Sequence, residues 1–129
     1  MDVVKVSGYE AFRSTVEKLT NDGSNNQINV YFTGEKDETG KSWCPDCNEA
    51  EPFVLSALKE HADEKSVFVV VDVGPRPFWK DMQNPFRKDP IAPISVIPSL
   101  VRWKSPVRLD GDQCARPSLL EMFFKEDTD

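Results

Sequence analysis

The chain carries 129 residues, 39% hydrophobic and 29% charged, with 16 basic against 22 acidic side chains and a formal net charge of −6. That length suits one domain, residues 1–129, able to bury a core without a metal or disulfide staple. The acidic balance argues against a nucleic-acid partner, whose backbone would be repelled.

No apolar run reaches the roughly 18 residues that a membrane span needs, and the first residues lack the apolar core of a signal peptide. Three cysteines do not make a secreted disulfide framework, so the expected setting is a reducing one, cytoplasmic or nuclear, with thiols used for chemistry.

Residues 3–6 (VVKV) form a short apolar run that predicts a first strand. Ser7 and Glu10 then have the spacing of a capping box, and Tyr9, Phe12, Val16 and Leu19 follow at helical spacing to about Thr20. Residues 21–26 have turn composition. Residues 28–32 (INVYF) are dense enough in apolar side chains to predict a central strand covered on both faces. Residues 34–41 are polar with two glycines, read either as a solvated loop or as a wall that restricts access to the motif beyond it.

A helix is expected from Cys44 to about His61, with Phe53, Val54, Ala57 and Leu58 as its apolar stripe and Pro52 kinking it. Residues 66–73 (SVFVVVDV) give the strongest strand pattern. It should run parallel to the second strand, with the helix as crossover. Residues 74–93 are irregular and hold five prolines; a short helix is expected around residues 79–88. Residues 99–103 and 106–110 predict an antiparallel hairpin turning at Lys104-Ser105. A last apolar helix, residues 118–124, is expected to be capped by Ser118, and residues 125–129 form a charged, frayed tail. The order is that of a mixed α/β sandwich.

The chemistry concentrates in Trp43-Cys44-Pro45-Asp46-Cys47. With Cys44 at the N-cap and Pro45 at the first helical position, where a missing N–H costs nothing, the Cys44 sulfur faces the free amides of the first turn. Those amides and the helix dipole favour the thiolate, the attacking species. Cys47 lies one turn deeper, where the two sulfurs can bond. Cys44 is therefore read as the nucleophile and Cys47 as the resolving thiol. Asp46 opposes thiolate formation, and Lys41 just upstream could offset it.

Two other readings of the pair are zinc ligation and a purely structural disulfide. Zinc would need Cys114 and His61 as further ligands, but His61 stands some 20 Å along the same helix. A disulfide closing so short a loop would stabilise little. Cys114 is read as an incidental thiol or a regulatory one, and Trp43 as core or as a platform beside the active sulfur.

Three features resemble the thioredoxin fold: Trp43-Cys44-x-x-Cys47, Pro52 five residues after the second cysteine, and Ile97-Pro98-Ser99 opening a late strand. More closely, residues 31–34 (YFTG), 40–47 (GKSWCPDC), 50–52 (AEP), 79–81 (WKD) and 86–88 (FRK) resemble the fourteen-kilodalton thioredoxin-related protein family, the Clot-like and thioredoxin domain-containing protein 17 group, over residues 7–124. The resemblance implies a central mixed β-sheet flanked by helices on both faces. It implies that Pro98 is cis and that Ile97 offers backbone hydrogen bonds to a bound substrate.

It also implies a cytosolic disulfide reductase with no bound cofactor beyond its own dithiol. Electrons would come from NADPH through thioredoxin reductase, and a narrow set of disulfides, cystine and other small or peptide/protein disulfides, would be substrates. A dynein light chain is an implied partner. Three departures from thioredoxin stand out, the first being a longer segment, Glu35 to Lys41, that could narrow the site and exclude large protein disulfides. Tyr31 occupies the position of the buried strand aspartate that helps deprotonate the resolving cysteine. The Pro45-Asp46 dipeptide replaces glycine-proline, and Asp46 would repel acidic substrates. Competing functions are a glutathione-dependent, glutaredoxin-like reductase, disfavoured by Trp43 and Pro52, and a non-enzymatic adaptor built on the same fold.

Overall fold

A computed structural model describes residues 1–24 and 26–125. The expected charged tail beyond Lys125 lies outside the described residues. Strands β1 (Asp2–Ser7), β2 (Ile28–Thr33), β3 (Val67–Asp72), β4 (Ser99–Arg102) and β5 (Arg108–Asp110) form one sheet in the order β1-β3-β2-β4-β5. β3 lies parallel to both β1 and β2, whereas β4 runs antiparallel to β2 and to β5. The helices are α1 (Tyr9–Thr20), α2 (Pro45–His61), α3 (Arg76–Lys80) and α4 (Pro117–Lys125), with a 3₁₀ turn at Gly111–Ala115. This is the mixed α/β thioredoxin fold.

Strand alternation sorts the side chains into two cores. On one face Val30, Phe32, Val67, Val69, Val71 and Val101 pack with Phe12 and Val16 of α1 and with Trp79, Phe86 and Ile94. On the other, Tyr31, Phe68 and Leu100 meet Ala50, Val54 and Leu58 of α2 and Leu120, Phe123 and Phe124 of α4. Every residue of β2 is buried, because this strand sits mid-sheet with helices on both sides. Phe12 is fully buried and meets Phe32 and Trp103 edge-on, with ring centroids 5.1 and 5.4 Å away. Truncating it to alanine would cost about 3–5 kcal/mol.

Several expected details differ. Ser7 does not cap α1; it remains in β1, opposite Asp72, and Gly8 at φ 89° is the N-cap. Ser118 does not cap α4, which starts one residue earlier at Pro117, whose fixed φ suits a first helical position. Phe53 is 41% exposed. The buried stripe of α2 is Cys47, Ala50, Val54, Ala57 and Leu58, about a quarter-turn away at 100° per residue.

The short helix expected around residues 79–88 is instead α3, ending at Lys80. Pro85 disfavours helical backbone at Asn84, and the buried Asn84 side-chain amide donates to the carbonyls of Trp79 and Asp81 at 2.9 and 3.0 Å. The chain thus turns where a helix would have continued. The hairpin turn is broader than Lys104-Ser105, spanning residues 103–107, with Lys104 at φ 64°.

Candidate active site

The parallel pair β2 and β3 directs the loop after β2 to one end of the sheet, where α2 begins. Cys44 is the N-cap of α2, with extended backbone (φ −92°, ψ 106°), and Pro45 is the first helical residue. The Cys47 amide donates to the Cys44 sulfur at 3.2 Å. Cys44 and Cys47 are disulfide-bonded, with Cα atoms 5.2 Å apart. Cys44 is 5% exposed and Cys47 1%, so only the first offers an approach from solvent.

A clamp that the sequence did not announce fixes the Cys44 backbone. The Ser42 amide donates to Asn48 Oδ1 at 2.9 Å, and Asn48 Nδ2 donates back to the Ser42 carbonyl at 2.8 Å. The Ser42 hydroxyl accepts the Cys44 amide at 3.0 Å. Serine and asparagine flanking a helix start are the signal for such an arrangement. Gly34 completes it: a Cβ there would stand 2.7 Å from Ser42 Oγ, 2.9 Å from the Trp43 ring and 3.1 Å from Cys44 Cβ.

The Ile97–Pro98 peptide is cis, and the Ile97 carbonyl oxygen stands 3.9 Å from the Cys44 sulfur. Behind it, the Pro98 carbonyl accepts the Gly111 amide at 2.7 Å. The Cys114 thiol donates to the Leu109 carbonyl at 3.5 Å and lies 3.8 Å from that of Pro98. Burial pushes the Cys114 thiol up to about 12, so it is an inert packing group in the 3₁₀ turn.

A cleft of about 400 Å³ opens on Cys44, lined by Trp43, Pro45, Asp46, Trp79, Val96 and Ile97, with Arg76, Lys80 and Arg87 along one side. Trp43 is half-buried, packs against the core and lines this cleft, and its indole N–H donates to the Gly74 carbonyl at 2.9 Å, which fixes the ring there. Of the residues singled out in the sequence, Trp43, Cys44, Pro45, Asp46 and Ile97 line this cleft. Cys47 and Pro98 lie behind it, both buried.

Lys41 does not line it. Its loop is a small folded unit turned toward α2: Lys36 bridges Ser42, the Asp37 carboxylate gathers the Thr39 hydroxyl with the Thr39 and Lys41 amides, and Lys36 pairs with Glu51 at 2.5 Å. The cleft wall is built from α3 and residues 95–97, not from residues 35–41.

Tyr31 lies on the opposite sheet face, against α2, and its hydroxyl has no hydrogen-bond partner among the described residues. Burial pushes its phenol upward, with Cys114 and Glu51 adding to the effect. It stays protonated at neutral pH and cannot accept a proton from Cys47 as a carboxylate would.

The model for the thioredoxin domain of thioredoxin domain-containing protein 17-like proteins matches residues 5–126. The chain belongs to this family. It is 44% identical over 124 residues to human thioredoxin domain-containing protein 17, covering 96% of this chain and 95% of the relative. It is 34% identical over 113 residues to the thioredoxin-like protein Clot of Arabidopsis thaliana, with 83% and 84% covered. Among solved structures, chloroplastic thioredoxin z superposes with a TM-score of 0.51 at 20% identity over 95% of each chain. That likeness speaks for the fold. Family membership together with the bonded Cys44–Cys47 pair supports a redox function of the thiol–disulfide kind.

Proposed function

We propose that the protein is a cytosolic thiol–disulfide oxidoreductase that reduces a narrow set of small or peptide disulfides. Electrons come from NADPH through thioredoxin reductase. The observation that carries this reading is the 3.2 Å hydrogen bond from the Cys47 amide to the Cys44 sulfur at the mouth of a cleft. A sulfur so placed is favoured as the thiolate.

In the forward reaction the Cys44 thiolate attacks one sulfur of the substrate disulfide. A Cys44–substrate disulfide forms, and the other substrate sulfur leaves as thiolate and takes up a proton. Cys47 loses its proton and attacks the Cys44 sulfur, releasing the second substrate thiol and closing Cys44–Cys47. Two electrons pass from the protein dithiol to the substrate, and thioredoxin reductase restores the dithiol. Ile97, whose carbonyl faces the sulfur, offers backbone hydrogen bonds to the substrate chain.

The test is NADPH consumption with thioredoxin reductase and cystine, beside an arm with glutathione and glutathione reductase. Turnover is expected in the first. Turnover confined to the glutathione arm would make the protein glutaredoxin-like, and none in either would remove the enzymatic reading. Cys47→Ser is expected to trap a mixed disulfide through Cys44; trapping by Cys44→Ser instead would reverse the two roles.

A further inference from the structure

The cleft over Cys44 carries a charge opposite to that of the chain. The protein has a formal net charge of −6, yet the cleft is lined by Arg76, Lys80 and Arg87 against one carboxylate, Asp46. Arg76 and Lys80 stand four residues apart on α3, hence on one face of it. Both are exposed, and neither makes an ion pair among the described residues.

Arg87 is half-buried and fixed. Its guanidinium stacks on Trp79 at 4.3 Å; Nε and Nη2 donate to the Trp79 carbonyl at 3.2 and 3.1 Å, and Nη1 donates to the Ser95 carbonyl at 3.1 Å. Every one of these acceptors is neutral, so the positive charge is held in place without being cancelled. A guanidinium has five N–H donors, and these bonds leave one on each terminal nitrogen for a ligand carboxylate.

We propose that this cleft selects disulfides flanked by carboxylates, with Arg76, Lys80 and Arg87 as the groups that read them. The proposal rests on the reductase reading and names its substrate class: peptide disulfides with acidic residues beside the cysteine. Asp46 alone would give the reverse preference, but it is outnumbered. The arrangement also accounts for narrow substrate choice without the loop at residues 35–41. Positive charge beside the reacting sulfur raises the local concentration of anionic substrates and speeds their encounter. Basic disulfides are disfavoured by the same field.

The test uses protein pre-reduced with dithiothreitol and freed of it, mixed in single turnover with three disulfide-linked peptide dimers of equal length. Their cysteine is flanked by glutamate, glutamine or lysine. Each rate is divided by that of dithiothreitol on the same peptide, which removes intrinsic differences in disulfide reactivity. The expected order is acidic over neutral over basic, with an acidic-to-basic ratio of about fivefold or more at low salt. At 1 M salt the screening length falls to about 3 Å, and the ratio should approach one.

The double reversal Arg76→Glu with Lys80→Glu should invert the ratio, and Arg76→Gln with Lys80→Gln should flatten it. A ratio at or below one in the natural protein, or one untouched by both double variants, overturns the proposal. The neutral peptide reports separately on the reductase reading: reduction of it without a charge preference sinks only the substrate class, and no reduction of any peptide sinks both.

Discussion

The Cys47 amide points at the Cys44 sulfur from 3.2 Å, while the Cys47 side chain itself is 1% exposed. One residue thus stabilises the anion of its neighbour through its backbone and withholds its own sulfur from solvent. In the reduced protein the three thiols should therefore differ widely in reactivity. Iodoacetamide at neutral pH should label Cys44 first, by about tenfold or more over Cys47. Cys114, fully buried with its thiol pushed up to about 12, should react only on unfolding. Lys41→Ala should leave the Cys44 rate unchanged, because Lys41 does not line the cleft. Mass spectrometry of peptides from a time course checks all three. Equal labelling of Cys44 and Cys47 would contradict the assignment.

The start of α2 was legible in the sequence because its determinants are local. A cysteine able to cap, a proline that fits the first helical position and a second cysteine one turn on lie within four positions. The two buried parallel strands were legible from their β-branched density. The cleft wall was not. Arg87 reaches it through carbonyls of Trp79 and Ser95, and α3 stops where it does because Asn84 folds back on it. Both are tertiary facts with no periodic trace. The loop at residues 34–41 reads as a solvated loop or an access wall, and its fixed shape, set by Asp37, Ser42 and Asn48, was not legible. The position of Tyr31 opposite α2 follows from strand alternation, but its unpartnered hydroxyl does not.

Gly34 is a packing requirement of the site. Ser42 Oγ and the ring of Trp43 approach closer than a methyl group tolerates, and the Cβ of Cys44 would be a tight contact. Gly34→Ala must displace the Ser42 and Trp43 side chains that frame Cys44, and overpacking of this kind costs about 1–3 kcal/mol. Urea unfolding should give that loss, and cystine turnover should fall with it. Gly40→Ala, where the limitation is φ 88° in an exposed turn with open space around it, should lower stability while leaving turnover of the folded protein intact. If Gly34→Ala proved neutral in both measurements, the close packing would be dispensable.

Tyr31 supplies no acid–base group to the site at neutral pH. Its hydroxyl is buried and unpartnered among the described residues, and its phenol is shifted further from neutral pH. A buried hydroxyl without a partner stabilises nothing, so Tyr31→Phe should be neutral or stabilising by up to about 1 kcal/mol. The pH profile of disulfide reduction should be unaltered. A destabilisation beyond 1 kcal/mol, or a displaced pH profile, would mean that the hydroxyl is engaged in the functioning protein.

Asp89 ties the irregular segment behind the cleft to α1. Its side chain is fully buried, 2.6 Å from Arg13 Nη1 and 2.7 Å from the Tyr9 hydroxyl, and it accepts the Ala92 and Ile91 amides at 2.8 and 3.0 Å. Burial alone would raise its carboxyl. The Ala92 amide, Tyr9, Arg13 and the Ile91 amide outweigh burial and hold it below the usual carboxylate range. A carboxyl depressed in the folded state contributes stability above its unfolded pKa of about 3.9, and loses it as pH falls through the lower folded value. Asp89→Asn removes the charge faced by the partly exposed Arg13 and should cost about 2 kcal/mol at pH 7, in the range for hydrogen bonds to a charged group. Urea titrations of the two proteins at pH 7, 5 and 3 should give a full gap at the first two and a narrowed gap at the last. A gap that widened on acidification would assign the stabilisation to some other group.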